Sequence, residues 1–512
     1  MGHMYGVPVR PSVAEEDAHA ARRGGAVLLN AGSIGNLKTQ RRRIDDVQPC
    51  RCSGRRNHRL LLVCSWLFII INSSARRAAA SFLHPIVLLP GFGCSQLDAR
   101  LTDEYAPPPA APACGARKGT GWFRLWENHT ASRDPDLVPC YADQLRVVYD
   151  PLAGDYRDAP GVETRVVSFG TTRGFGSDDP AQKLVMSDFI YSSFHFSARI
   201  QYIIACFRFV RNQCMEKLVK ALTSVGYTEG ENLFGAPYDF RHAPAPPGQA
   251  SSHFSRFASS LRVLVERASE KNRNVPVILV THSLGGPNAI EFLNRTPLLW
   301  RRRFVKHLVM LAGSGGGSVP TLQILAAGAA IRSPPPRDAL SFAKTSRTFP
   351  SVFLRLPSPK VFGHTPLVVT RAKNYSAHDI PAFLAAVEFA ADEEVARYRT
   401  RALPVTLSLR APGVPVTCVN GVGTPTAEML VYGDGGFGVA PRVVHGDGDG
   451  DGLVNLVDVL ALSKVVGDDP DQPYFKSVLV PNATHTGIIS DDAALQRVMN
   501  EILEANSHSV YH

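Results

Sequence analysis

The stretch VPVILVTHSLGGP, Val275 to Pro287, ends a near-continuous apolar run on a single serine followed at once by two glycines. Serine and glycine are ordinary turn residues, so a plain strand-to-helix turn is one reading. A nucleophile on a strained elbow is the other, and the G-x-S-x-G template fits around Ser283 with Gly285 in place and Thr281 where the first glycine would stand. Small residues two before and two after the serine are required there because strand and helix backbones approach closely. Such a turn lifts the hydroxyl to the carboxyl edge of the sheet and points the Leu284 N–H at the same space. The positive end of the following helix then lies beside any developing oxyanion.

A serine hydroxyl needs a base at neutral pH. In this strand–turn–helix order the partners follow as Ser, then Asp, then His. The acidic run GDGDGDGLVNL (446–456) follows an apolar run at 414–423, and VLVPNATHTGII (478–489) carries His485 past the last strand candidate. His485 would take the Ser283 proton, and a buried Asp would hold the imidazole tautomer. A second backbone donor is expected after an early strand, where LLPGFGCSQL (88–97) would turn at Pro90 and Gly91 and present the Phe92 N–H; a plain β-turn is the other reading of that segment.

The acidic run has a competing reading. Asp447, Asp449, Asp451, Gly452 and Asp458 stand at positions 1, 3, 5, 6 and 12 of a calcium loop, with apolar Val454 eighth. That site needs a helix on each side and a bidentate Glu at its end, whereas the preceding residues are rich in Gly and Pro. No metal and no cofactor are therefore expected.

The elements that must position these groups alternate. Short apolar runs at 84–91, 162–170, 275–283, 305–313, 414–423 and 474–482 are separated by amphipathic stretches such as Ser252 to Asn272 and Pro287 to Arg295. That alternation predicts an α/β fold with a mostly parallel sheet covered on both faces. Residues 102–145 and 319–412 do not fit a minimal sheet and are expected to form a lid and a cap over the site. Residues 184–213, aromatic-rich and broken by Ser, Arg and Gln, are either a buried helical pair or sequence foreign to the native protein. Asp239 and Arg241 are charged residues in an apolar setting and are read as a structural pair.

The net charge of +10 is local. Residues 1–80 carry 13 Arg and Lys against 5 Asp and Glu, a net +8, so the other 432 residues carry only +2 and no nucleic-acid binding is expected of the core. Within residues 1–80 a basic flank precedes the apolar run Leu60 to Ile71, as in a signal sequence or anchor, and residues 81–505 are left as the folded domain. Secretory entry follows, with the endoplasmic reticulum lumen, a vacuole or the exterior as destination. Of nine cysteines, Cys114 and Cys140 bracket a loop and are the best disulfide candidates for an oxidising lumen; sequons at Asn128, Asn374 and Asn482 suit the same compartment.

With these motifs in view, the chain resembles the lecithin–cholesterol acyltransferase family, especially its plant acyltransferase-like members. PIVLLPGFGCSQLDARL, WFRLWENH with Cys140, LRVVYDPLAGDYRDAPGVETRVVSFG, GAPYDFR, VTHSLGG, NGVGTPT, DGDGLVN and ATHTGI follow in family order over roughly 84–183 and 214–505. The resemblance implies an α/β-hydrolase fold with Ser283, Asp451 and His485 as the triad and the Phe92 and Leu284 amides as oxyanion donors. Asp451 is chosen because DGLV matches the family's DGTV, with Leu453 replacing Thr. A second disulfide found in many members would use Cys418, but no later cysteine exists. The implied activity is serine-dependent transfer of an acyl group from a glycerophospholipid to a sterol-type alcohol or to water. The implied partner is a phospholipid bilayer or lipoprotein-like surface. Trp122, Phe123, Leu125 and Trp126 are expected to dip into it unless they are buried against the cap. The alternative is a lipid- or calcium-binding module on the same fold without turnover.

Overall fold

The structure, a computed structural model, describes residues 83–507 except 127, 129–130, 132–133, 135, 176–213, 314, 328–344, 388–391, 435, 439 and 451–452. The leader, its Leu60–Ile71 run and the 184–213 segment lie outside the described residues. The strands in chain order are β1 (Ile86–Leu89), β2 (Leu97–Leu101), β3 (Phe123–Trp126), β4 (Val147–Asp150), β5 (Asp155–Asp158), β6 (Val162–Val166), β7 (Leu233–Gly235), β8 (Val277–His282), β9 (Val305–Leu311), β10 (Val368–Val369), β11 (Asn374–Tyr375), β12 (Val416–Val422), β13 (Thr424–Val431), β14 (Arg442–Gly448) and β15 (Phe475–Pro481).

Six of them form one parallel sheet in the order β15-β12-β9-β8-β1-β7. Side chains alternate along each strand, so the sheet feeds two cores. Val87, Leu89, Leu279 and Met310 pack with Leu261, Val265, Ala289 and Leu293 of the helices Ser252–Lys271 and Gly285–Asn294. Ile86, Leu88, Ile278, Val280, Val309 and Leu311 pack on the other face with Leu218 and Leu222 of the helix Glu216–Ser224 and with Val498 and Ile502 of the helix Asp492–Ser507. Each such aliphatic side chain contributes roughly 1.5–3 kcal/mol by leaving water. Burial on both faces is why these strands read as unbroken apolar runs.

The order departs from expectation in two places. The run at 162–170 forms β6, which lies outside the central sheet; it pairs antiparallel with β2 in a small sheet of order β3-β2-β6. Its place on the β1 edge is taken by β7, three fully buried residues, too short to show a period in the sequence. The 319–412 excursion is mainly helical, with helices at Val319–Ala327, Pro350–Leu354, Ile380–Ala386 and Leu403–Leu407, and it adds β10 to β13.

The chain leaves β1 for β7 on one side and then crosses to β8 on the other. The direction of winding thus reverses between β1 and β8, and their carboxyl ends diverge into a crevice. Phe92 follows the first of these strands and Ser283 the second. Sheet order alone therefore brings together two segments nearly two hundred residues apart.

Candidate active site

Ser283 sits one residue past β8 with φ of +52°, a left-handed conformation that a non-glycine residue adopts only under strain. Its N–H still donates to Leu311 O at 3.0 Å, continuing the pairing with β9, while Gly286 N–H turns back onto Ser283 O at 2.9 Å. The chain is thus strand up to the serine and helix immediately after it. A Cβ at Gly285 would lie 2.6 Å from Leu89 O and 2.8 Å from Pro90 O, so the end of β1 admits only glycine there. Thr281 has ordinary van der Waals room beside the elbow: a Cβ at Gly286 would lie 3.6 Å from Thr281 Oγ1, whereas it would meet Met310 Cε at 2.8 Å. Thr281 is fully buried and its hydroxyl has no partner among the described residues.

His485 lies past β15, buried, with Nε2 2.9 Å from Ser283 Oγ. Its Nδ1 lies 2.5 Å from a carboxylate oxygen of Asp449, which is itself fully buried. The hydroxyl donates to Nε2, and the Nδ1–H donates to the carboxylate. The backbone repeats the link, since His485 N–H donates to Asp449 O at 2.9 Å. His282, next to the nucleophile, donates from Nε2 to His485 O at 3.0 Å, which fixes the same loop from the other side. Burial pushes the His282 imidazole down to about 3, so it stays neutral.

The carboxylate in this chain is Asp449, two residues before the expected Asp451, which lies outside the described residues. The register is set by the hairpin of β13 and β14, where Thr424 faces Gly448. That pairing delivers Asp449 at the strand end, level with His485. Its second oxygen accepts Val454 N–H at 3.1 Å, and Gly450 N–H donates to Thr426 Oγ1 at 2.8 Å. Gly450 has φ of +74°, and a Cβ there would strike Thr424 Cγ2 at 2.2 Å, so only glycine makes this turn. The same geometry bears on the described carboxylates of the calcium template. Asp447 accepts Gly423 N–H at 2.6 Å, Asp458 accepts Gly316 N–H at 3.0 Å, and Asp449 faces the imidazole, so the three carboxylates are committed to different neighbours. The element before the run is a strand instead of a helix.

The exit from β1 abuts the serine, because a Cβ at Gly91 would lie 3.0 Å from Ser283 Cβ. The Phe92 ring is held edge-on by Phe240 at 5.0 Å, with the Arg355 guanidinium 4.9 Å over its face. Among the described residues neither the Phe92 N–H nor the Leu284 N–H has an acceptor. A cleft of about 780 Å³, counting its open mouth, runs from Ser283 and His485 along the helix Gly285–Asn294, past Leu284, Ile290, Leu409 and Leu453. Leu453, where the resemblance places a threonine, thus adds apolar wall, while the Val454 amide supplies the hydrogen bond to the acid.

The aromatic cluster at 122–126 divides. Leu125 and Trp126 are 1% and 5% exposed, so they are not surface contacts. Trp126 donates from its indole to Gly93 O at 2.6 Å and packs against Phe240 and Tyr141. They lie on β3, and pairing with β2 turns them into the core beneath the β1 exit. Trp122 stays exposed at 36%, with Arg165 4.3 Å and Arg100 5.1 Å from its ring, and half-buried Phe123 lies under Arg117 at 4.6 Å. Cys114 and Cys140 are joined with Cα atoms 5.0 Å apart. A disulfide that sequence reading missed joins Cys94 to Cys214 across 120 residues; only the fold reveals that these two are neighbours. Cys418 is free and buried in β12.

Asp239 and Arg241 form the structural pair that was expected. Arg241 is fully buried and reaches Asp239 at 2.6 Å, Asp158 at 2.7 Å, Thr164 Oγ1 at 2.8 Å and Leu145 O at 3.2 Å. Although burial alone would raise the Asp239 carboxyl, the Arg241 charge and hydrogen bonds hold it well below the usual carboxylate range.

Comparison with known proteins agrees with this arrangement. Residues 122–395 match the family described as lecithin:cholesterol acyltransferase. The chain is 40% identical to lecithin-cholesterol acyltransferase-like 1 of Oryza sativa subsp. japonica over 89% of its own length and 94% of that protein's. The corresponding Arabidopsis thaliana protein is 37% identical over 86% and 94%. Lysosomal phospholipase A and acyltransferase of Canis lupus familiaris is 28% identical over 86% and 97%. An elbow serine at the switch point of a parallel sheet, a histidine past its last strand and this extent of matching sequence have one common account: the chain belongs to the lecithin:cholesterol acyltransferase family.

Proposed function

We propose that the protein is a serine acyltransferase with phospholipase A activity, taking an acyl group from a glycerophospholipid and passing it to a lipid alcohol or to water. The observation that carries this reading is the unbroken hydrogen-bonded chain Ser283 Oγ, His485 Nε2, His485 Nδ1, Asp449. Ser283 Oγ attacks the ester carbonyl while His485 Nε2 accepts its proton. Asp449 holds the Nδ1–H tautomer and stabilises the imidazolium. The carbonyl oxygen becomes an oxyanion, which the Phe92 and Leu284 amides are positioned to receive. Collapse of this intermediate expels the lysolipid alkoxide, which takes the proton from His485, and leaves an acyl-Ser283 ester. In the second half His485 accepts a proton from the incoming hydroxyl or water as its oxygen attacks the acyl carbonyl, and collapse of that intermediate breaks the acyl–Ser283 bond, returns the proton from His485 to Ser283 Oγ and releases the new ester or fatty acid.

Transfer and hydrolysis use the same groups, and water exclusion by the cleft decides between them. The apolar wall at Leu284, Ile290, Leu409 and Leu453 suits an acyl chain. Trp122, exposed between the Arg100 and Arg165 guanidiniums, which are themselves paired with Glu163 and Asp98, suits the polar–apolar boundary of a lipid interface. The leader's apolar run, the sequons and the two disulfides favour the secretory pathway. Among the described residues no helix is long and apolar enough to cross a membrane.

Purified protein given phosphatidylcholine labelled separately in each acyl chain, with a sterol present, is expected to yield labelled sterol ester, free fatty acid or both, and Ser283→Ala to yield neither. Equal turnover by Ser283→Ala would end the proposal.

A further inference from the structure

A second group of side chains lies apart from the triad. Asp239 and His242 stand on the segment that follows β7, and His253 is the second residue of the helix Ser252–Lys271. His242 Nε2 lies 3.8 Å and His253 Nδ1 3.9 Å from the same Asp239 oxygen, and the three donor atoms are all within 4.8 Å of one another. Those separations are too long for hydrogen bonds. His242 is 7% exposed, and its Nε2 has no partner among the described residues, an arrangement that is unfavourable if nothing fills it. The two imidazoles stack with centroids 3.6 Å apart and planes 5° from parallel. We propose that Asp239, His242 and His253 form a binding site for a divalent transition ion of the zinc type, which ties the loop after β7 to the start of the helix Ser252–Lys271.

The donor chemistry fits such an ion. Two imidazole nitrogens and one carboxylate oxygen suit zinc and its neighbours over calcium or magnesium, which take oxygen ligands. Zinc–ligand bonds of about 2.0–2.2 Å hold donors at the corners of a tetrahedron about 3.4 Å apart, so the 3.8 and 3.9 Å carboxylate–imidazole separations need to close by about half an ångström and the stacked rings have to tilt until both lone pairs face the ion. Arg241 grips both Asp239 oxygens and so orients the carboxylate, in the way outer-shell donors fix metal ligands. The Asp158 carboxylate accepts from the same Arg241 Nη2 and offsets its charge. Asp239 and His253 line an open cleft together with Asp158 and Arg256, which gives an ion a way in and a water the fourth position.

The test uses the full chain, stripped with a chelator, dialysed and titrated with Zn²⁺ by calorimetry, with Co²⁺ absorption as a second readout. One equivalent bound with a tetrahedral Co²⁺ spectrum is expected, and a rise in the unfolding temperature on Zn²⁺ addition. His253→Ala, at the partly exposed edge of the cluster, is expected to weaken binding at least tenfold and to remove the thermal shift. His485→Ala, which deletes the triad imidazole, and His378→Ala, which deletes one of another stacked pair, are expected to keep both. The proposal is overturned if the unaltered protein binds no Zn²⁺, if His253→Ala binds it unchanged, or if the equivalent is lost with His485.

Discussion

Two buried aspartates lie beside histidines in this protein, and they are satisfied in opposite ways. Asp449 touches His485 at 2.5 Å, takes one backbone amide on its other oxygen and meets no Lys or Arg among the described residues. Asp239 is gripped by Arg241 through both oxygens and stands 3.8 and 3.9 Å from His242 and His253. The acid–histidine pairing is shared; the role follows from what else claims the carboxylate. An acid whose charge is shared with a guanidinium stabilises a neighbouring imidazolium less than one that meets neutral amides, which can support the charge that forms on its imidazole during proton transfer. The first arrangement is the one suited to the proposed proton transfer, and the second ties distant segments together.

Substitutions can break or sharpen that contrast. The largest effect is expected at the nucleophile. Ser283→Ala should lower turnover by about 10⁶-fold and abolish labelling by a fluorophosphonate, with the unfolding temperature nearly unchanged. Asp449→Asn should cost about 10⁴-fold in kcat, since the amide favours the wrong imidazole tautomer, while Asp451→Asn should stay within a few-fold. Equal losses at 449 and 451, measured on the same phosphatidylcholine substrate, would show the assignment of the acid to be wrong.

At the structural pair the currency changes from rate to stability. Arg241→Met leaves Asp239 and Asp158 buried without their cation and should cost about 3–5 kcal/mol in denaturant unfolding. The surviving folded fraction should keep its kcat. A kcat loss that exceeds the loss of folded protein would move Arg241 into the chemistry.

His282 predicts a pH dependence. Its folded pKa, near 3, lies below the unfolded value of 6.5, so below about pH 6 the unfolded chain binds a proton that the folded chain refuses. Its stabilising contribution is complete above pH 6.5 and is lost as pH falls towards 3, at up to about 1.4 kcal/mol per pH unit. His282→Gln should flatten that part of the stability profile; an unchanged slope would assign it to other groups. The smallest effect is expected at Thr281→Val, which removes a buried hydroxyl with no partner and should stabilise the protein by about 1 kcal/mol, read as a higher unfolding midpoint.

Much of this was legible in the chain. The elbow could be read because its requirements are local: an apolar strand, a serine and glycine two residues on, within a dozen positions. His485 followed from its place past the last strand. The acid did not follow in the same way, because GDGDGDG repeats every two residues and so looks the same when slid by two. Resemblance to DGTV favours Asp451, but the pairing of β13 with β14 ends the strand at Gly448 and presents Asp449. Likewise WFRLW is equally apolar whether exposed or buried. Pairing with β2 decided that Leu125 and Trp126 face the core while Trp122 faces solvent.

The sequence by itself carried the alternation of strands and helices, the family, and Ser283 and His485 as candidates for nucleophile and base, because each rests on residue types at short spacing or on the order of motifs. Tertiary structure alone decided which aspartate meets His485, that Cys94 meets Cys214, that β7 and not β6 borders β1, and that two histidines stack beside Asp239. Each of those is a meeting of segments that are distant in sequence or ambiguous in register. Such meetings are selected by the packing of the whole core, and no local pattern encodes them.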